Sequence, residues 1–276
     1  MLASVFSKSR PINYALIGIF LVAAYFLYLF KDPYWTSDYF LIFQKTGLFL
    51  LLTASVFLVN FITRKNSLSK DNTFAMFLFL VFIVLFPTIL VNTNIIISNF
   101  FILLALRRLI SLQSLITPKE KIFDASFWIF AAALFHFWSI IFIILVFISI
   151  VFHVSRDYRN WLIPFIAFFA VAVLYMMGYL LLGDNAFLNF YDQISISFDF
   201  TYFENIYQNI ALAVYSSIAL MFAITQIASL PSKPLNMHSS YKKVLFSFFI
   251  GVAIYVLSDH KNNSFLAFTF TPLAIM

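Results

Sequence analysis

The stretch that decides the fold is ASFWIFAAALFHFWSIIFIILVFISIVFHV, which covers residues 125–154 and contains no charge, proline or glycine. A single helix from Phe123 to Ser155 would be about 50 Å long at 1.5 Å per residue. The hydrocarbon core of a bilayer is only about 30 Å thick, so that helix would have to tilt steeply or protrude. We therefore expect a short helical hairpin that doubles back at 136–139, with one long tilted helix as the alternative.

The lysines and arginines favour the same hairpin. With a cytoplasmic N-terminus, a hairpin leaves fourteen of them inside and two outside, whereas a single crossing leaves ten and six. Basic residues collect in cytoplasmic loops and this bias sets orientation, so the more uneven distribution is preferred. The sequence therefore predicts a cytoplasmic N-terminus.

The composition indicates a membrane protein rather than a soluble domain. Of the 276 residues, 63% are hydrophobic and only 10% are charged, where a soluble domain has roughly 25% charged residues. Apolar runs of about 20 residues recur, and each is a candidate transmembrane helix. Because these runs do not alternate in polarity as barrel strands do, we expect an all-α bundle.

The apolar runs define about nine spans, including the two legs of the hairpin, in one integral membrane domain over 1–276 with no soluble domain. The last apolar stretch, 265–276, is too short to cross, and we expect the protein to continue beyond Met276. The other expected spans lie at 14–30, 41–63, 73–91, 95–112, 161–182, 206–230 and 244–258.

Several classes of chemistry lack the residues that they need. The chain has no cysteine, which excludes iron–sulfur clusters and disulfides, and its sequence shows no haem, nucleotide-binding or nucleic-acid-binding motif. An iron-dependent carotenoid oxygenase needs several histidines around one ion. The four present, His136, His153, His238 and His260, are expected at different depths, so this reading is disfavoured. For His136 we expect a satisfied polar group between aromatic residues.

Two carboxylates in the first external loop, Asp32 and Asp38, are the best candidates for catalysis. Tyr34, Trp35 and Tyr39 surround them, and such aromatics stack on sugars but also form the ordinary interfacial belt. A carboxylate can act as a general base when it reaches the proton that it removes. One or two carboxylates could also hold a divalent cation, although no cofactor is identified. Solvated loop charges are the alternative.

Four arginines are candidates for binding a lipid phosphate, because the planar guanidinium matches phosphate oxygens. Arg107 and Arg108 lie near the cytoplasmic end of one span, and Arg156 and Arg159 follow the hairpin. The alternative is that they anchor the helix ends at the membrane surface. Lys45 lies inside a span, where charges are costly and often functional, although it could also snorkel to the surface.

Residues 99–182, with FFILLALRRLI at 100–110 and SRDYRNWLIPF at 155–165, resemble the middle of membrane glycosyltransferases that use polyprenyl-phosphate sugar donors. Members of that superfamily carry an acidic catalytic residue in the first external loop. The resemblance implies that Asp32 or Asp38 in KDPYWTSDYF would deprotonate an acceptor hydroxyl. It also implies a polyprenyl-linked substrate and a role in lipid-linked glycan assembly.

Over its whole length the chain resembles an uncharacterised family of Bacteroidota inner-membrane proteins, through FSKSRPINY at 6–14, DPYW at 32–35 and LLALRRL at 103–109. This resemblance implies a location in the bacterial inner membrane but no activity. Two other functions stay open. The chain could be a non-catalytic subunit or scaffold that binds a membrane partner protein, or a transporter.

Overall fold

The structure, a computed structural model, describes residues 6, 9–30, 33–36, 38–69, 71–182, 195–196, 206–259 and 261–276. Within these ranges the chain is all-α, as predicted, and its only β structure is the isolated bridge between Ile196 and Ser258. The ten α-helices are α1 (Pro11–Leu29), α2 (Tyr39–Lys65), α3 (Phe74–Leu85), α4 (Thr93–Ser111), α5 (Pro118–Phe135), α6 (Ile143–His153), α7 (Arg159–Leu182), α8 (Ile206–Ser229), α9 (Leu235–Leu257) and α10 (Ala267–Ile275).

Six of these helices, α1, α2, α4, α7, α8 and α9, are long and apolar enough to cross a membrane. They coincide with six of the predicted spans. The predicted span 73–91 is less regular, because α3 ends at Leu85 and a 3-10 turn, Pro87–Leu90, follows it. Proline has no backbone N–H and restricts the residue before it, which accounts for a break at Phe86.

The hairpin predicted over 125–154 is present. Helix α5 ends at Phe135, His136 is extended, and a 3-10 segment, Phe137–Phe142, leads into α6. Lys119 Nζ at the start of α5 lies 3.4 Å from Asp157 Oδ2, just beyond α6. In one straight helix these two residues would be about 57 Å apart at 1.5 Å per residue. The chain therefore doubles back at the turn.

Hydrogen bonds between helices define two ends of the bundle. We call one of them the basic end, because all the described lysines and arginines except Lys45 and Lys261 lie there. The opposite, far end holds the hairpin turn. Bonds at the basic end join Tyr14 Oη to Arg64, Tyr241 Oη to the Leu68 carbonyl and Lys243 Nζ to the Leu109 carbonyl. Bonds at the far end join Tyr25 Oη to the Lys45 carbonyl and Asn92 Nδ2 to Ser264 Oγ.

The C-terminal segment lies at the centre of the bundle. Residues 263–275 are buried throughout and run from Ser264 at the far end to Ile275, which packs with Ile62 and Ile110. The sequence predicts this stretch only as an apolar run too short to cross. Its packing against α3, α4, α8 and α9 makes it the core around which those helices assemble.

The approach of α9 to this core depends on Gly251. A Cβ at Gly251 would lie 2.8 Å from Thr269 Cγ2 and 3.0 Å from the Phe268 carbonyl carbon and oxygen. Small residues at helix contacts allow such close backbone packing. Helix α9 also begins at Leu235, nine residues before the predicted start at 244. The prediction missed its first turns because they are polar and lie at the basic end.

Candidate functional site

A groove of about 810 Å³ lies between α2 and α4 at the basic end. Its wall is apolar and its rim is charged. The wall is formed by Ala54, Phe57, Leu58, Phe61, Phe100 and Leu104, and the rim by Asn60, Arg64, Lys65, Asp71 and Arg107.

The helical repeat places these groups on one side. Residues three or four apart share a helix face, so Phe57, Phe61 and Lys65 follow one another along α2. On α4 the same spacing aligns Leu104 with Arg107. The small side chain of Ala54 leaves room between the helices. Both faces are apolar along most of their length and become cationic near the C-terminal end of each helix.

Two cations from different helices meet at one aromatic ring. Lys65 Nζ lies 5.1 Å and Arg107 Cζ 4.7 Å from the centre of the Phe61 ring. A cation within about 6 Å of an aromatic face is attracted by its quadrupole. Lys65 and Arg107 therefore both lie beside the Phe61 ring at the mouth of the groove, although no carboxylate among the described residues forms an ion pair with either of them.

The third cation of the rim is already partnered. Arg64 Nη1 donates to Tyr14 Oη at 2.9 Å, and Arg64 Nη2 lies 3.3 Å from Asp71 Oδ1. The Asp71 side chain is 86% exposed, and exposed pairs of this kind contribute little to stability. Asn60 Nδ2 also donates to Tyr14 Oη, at 3.3 Å. These contacts tie α1 to the rim.

The structure separates the four arginines predicted to bind a lipid phosphate. Arg107 lies in the groove, but Arg108 faces α5 and pairs with Asp124 at 2.8 Å. Arg156 and Arg159 are exposed at the connection between α6 and α7, away from the groove. Arg159 lies over the Tyr158 ring, with 6.0 Å between its Cζ and the ring centre.

The groove contains two cations, Arg64 and Lys65, that the sequence-based candidates did not include. The signal for them was available along α2, where aromatic and apolar residues at helical spacing end in a basic pair. The sequence alone could not show which residue of another helix lies beside this basic pair. Arg107 lies about forty residues further along the chain, and only the packing of α2 against α4 brings it to Phe61.

The predicted catalytic carboxylates lie elsewhere. Asp32 falls outside the described residues. Asp38 is exposed and caps α2, its Oδ1 accepting a hydrogen bond from the Phe40 N–H at 3.1 Å. The length of α2 places Asp38 about 39 Å from Arg64 at 1.5 Å per residue. Asp38 therefore cannot act on a headgroup held by the groove cations.

The described histidines also lie apart. His136 stacks on Phe265 and Phe268 at the far end, and its Nε2 lies 3.2 Å from Ser258 Oγ. It is the satisfied polar group between aromatics that the sequence predicts. His238 Nε2 lies 2.8 Å from the Lys233 carbonyl at the basic end. His260 falls outside the described residues, among which no group of three histidines or carboxylates is placed to hold a metal ion.

Two lysines inside the bundle have definite partners. Lys243 is fully buried; its Nζ donates to the Leu109 carbonyl at 2.6 Å and lies 3.2 Å from His153 Nε2. The Leu109 carbonyl belongs to the last turn of α4, where a cation stabilises the helix end. Lys45 Nζ donates to Tyr28 Oη at 3.0 Å at the far end. Both lysines serve the packing of helices.

Comparison of the chain with protein-family models, with curated proteins and with solved structures finds no match to any of them. The groove therefore has to be interpreted from its own geometry.

Proposed function

We propose that this chain is a multi-pass membrane protein with about nine crossings and with its N-terminus and its basic end in the cytoplasm. The six long apolar helices support the membrane location. The collection of basic residues at one end supports the orientation, because such residues mark the cytoplasmic side. A bacterial inner membrane agrees with this arrangement.

The proposed function is the binding of a lipid with an anionic headgroup in the groove between α2 and α4. The observation that carries this proposal is the order of the lining groups. Apolar residues from Ala54 to Phe61 follow the depth of the membrane, and Lys65 and Arg107 lie at the end where headgroups are found. An acyl or isoprenyl chain would lie on the wall while the headgroup contacts the cations.

A polyprenyl phosphate belongs to this class of ligand, so the groove suits the lipid-linked substrate implied by the resemblance to glycosyltransferases. The catalytic part of that expectation gains no support from the groove. Asp38 lies at the far end, and any reaction there would have to proceed without the groove cations. Lipid binding is compatible with an enzyme or with a subunit that presents the lipid to a partner protein.

The test is native mass spectrometry of the purified chain from membranes, with bound lipids identified after release. The double variant Lys65→Gln/Arg107→Gln should lose most of its bound anionic lipid. A juxtamembrane basic residue contributes about 1 kcal/mol to the attraction of an anionic lipid. Two such losses correspond to roughly a thirtyfold weaker affinity at 1.4 kcal/mol per factor of ten.

The matched control is Arg156→Gln/Arg159→Gln, which removes two exposed cations from the same end but outside the groove. This variant should keep its lipid. Equal loss in both double variants would show that the lipid is held by the general charge of the basic end, and the groove proposal would then be wrong.

A further inference from the structure

We infer that the headgroup site of the groove takes a phosphomonoester, with its terminal phosphate, in preference to a phosphodiester. This inference rests on the proposed lipid-binding function and narrows the ligand to lipids such as phosphatidate or a polyprenyl monophosphate. It follows from the number of cations at the rim of the groove and from the fact that two of them reach the headgroup site from different helices.

The charges at the rim exceed what a phosphodiester can neutralise. The rim has three cations, Arg64, Lys65 and Arg107, against the single carboxylate of Asp71. Asp71 lies beside Arg64, so Lys65 and Arg107 are left to face the ligand. A phosphodiester carries one negative charge, whereas a phosphomonoester carries about 1.5 to 2 at neutral pH. Only the monoester matches two cations.

The two facing cations also approach from different helices. Both lie within 5.1 Å of the centre of the Phe61 ring, Lys65 from α2 and Arg107 from α4. The planar Arg107 fork binds two phosphate oxygens at once, and the Lys65 ammonium acts as a point charge on a third. A monoester offers three terminal oxygens. In a diester the second ester bond occupies one of them.

The titration on which this distinction depends is that of the phosphate of the ligand. Among the described residues, the charged and phenolic groups at the rim are Lys65 and Arg64 from α2, Arg107 from α4, Tyr14 from α1 and Asp71 from the connection to α3. Lys121 from α5 lies near enough to Lys65 for their charges to interact. The two charge states of a phosphomonoester are compared between pH 5 and pH 7.5. The second ionisation of a phosphomonoester, with a pKa near 6, falls within that interval.

The experiment compares dioleoyl phosphatidate with dioleoyl phosphatidylmethanol, which differ by one methyl group and by the second charge. Affinities of the full chain in detergent are measured at pH 7.5 and pH 5. We expect phosphatidate to bind about fivefold more tightly at pH 7.5, from about 1 kcal/mol for the additional charge. The two lipids should bind nearly equally at pH 5. Lys65→Gln should reduce the preference at pH 7.5, and Arg156→Gln should leave it unchanged.

Three other outcomes are distinguishable. If both lipids bind equally at pH 7.5, the phosphomonoester inference is wrong and the lipid-binding function stands. If neither lipid binds, the proposed function itself is wrong. If inorganic phosphate displaces phosphatidate at matching concentration, the site recognises a soluble phosphomonoester, and the lipid-binding function is wrong although the headgroup chemistry is right.

Discussion

The groove at the basic end and the hairpin turn at the far end both place polar groups within an apolar bundle, but they do so in opposite ways. At the turn, the His136 ring is buried against the Phe265 and Phe268 rings, and its Nε2 lies within hydrogen-bonding distance of Ser258 Oγ. In the groove, Lys65 and Arg107 flank Phe61 and face open space. The polar side chain of His136 is paired within the fold, whereas Lys65 and Arg107 form no ion pair among the described residues.

In a chain with few polar residues, this difference distinguishes polar groups that stabilise the fold from polar groups that are available to bind a ligand. Burying a polar group without a hydrogen-bond partner destabilises a folded protein. A buried polar side chain is therefore expected where the chain itself supplies its partner. Lys65, which is exposed, and Arg107, which is half-buried, instead lie beside the Phe61 ring. Changes at the far end should therefore reduce stability, and changes in the groove should reduce binding.

The largest effect is expected for His136→Ala. The substitution removes a ring stacked on Phe265 and Phe268 and leaves a cavity at the hairpin turn. Replacing a buried aromatic ring by alanine typically costs about 3–5 kcal/mol. Thermal unfolding of the purified protein should show a large drop in Tm. His136→Phe, which keeps the stacking, should recover most of it; equal destabilisation by both would contradict the packing role.

A somewhat smaller loss of stability is expected for Gly251→Ala. The new methyl group would lie 3.0 Å from the Phe268 backbone. That backbone cannot move away without displacing the central segment, which is the C-terminal segment 263–275. Overpacking of this kind costs about 1–3 kcal/mol. Gly47→Ala is the matched control, since a Cβ there has nothing within 4 Å, and its Tm should not fall. If the two variants were equally stable, α9 would not pack on the central segment as described.

In the groove, Arg107→Gln should leave the Tm nearly unchanged, because the guanidinium is part of no ion pair among the described residues. Its effect should be about a fivefold loss of affinity for an anionic lipid, from about 1 kcal/mol. Lipid titration followed by native mass spectrometry measures this. A large drop in Tm with unchanged lipid affinity would place Arg107 with the structural groups and reverse the comparison.

The smallest effect concerns the ion pair that joins the two ends of the hairpin. The Arg159 N–H and, to a lesser extent, Lys119 hold the pKa of Asp157 below its usual value. Because the pKa is depressed in the folded state, the stabilisation is present above the unfolded value of about 3.9 and is lost as pH falls through the folded value. Asp157→Asn should lower the Tm slightly at pH 7 and by less at pH 3, where part of the stabilisation has been lost. The same difference at both values would exclude this electrostatic origin.

Much of the fold could be predicted from the sequence because it is recorded in long apolar runs. The hairpin followed from the length of 125–154 and from the distribution of lysine and arginine. The polar start of α9 did not, since turns with Lys242 and Lys243 resemble a loop on a hydropathy scale. The central position of 263–275 depends on which helix faces meet, and composition alone does not contain that information.

For the candidate site, the residues proposed from the sequence and the residues that line the groove share one member, Arg107. Arg107 was among the predicted phosphate ligands, whereas Arg108, its neighbour in the chain, points to Asp124 on α5. Adjacent residues on a helix point in different directions, and here Arg107 and Arg108 contact different helices. The true neighbours of Arg107 are Phe61 and Lys65 on another helix.

Filling the groove between α2 and α4 without changing its charge is the sharpest test of whether the groove holds an anionic lipid. Ala54→Trp places a large ring against the apolar wall and keeps every cation of the rim. Lipid bound to the purified variant is measured by native mass spectrometry beside the unaltered protein. If the groove holds an anionic lipid, the variant should lose that lipid while the Tm of the lipid-free protein is retained. Full lipid occupancy in a folded Ala54→Trp variant would contradict it.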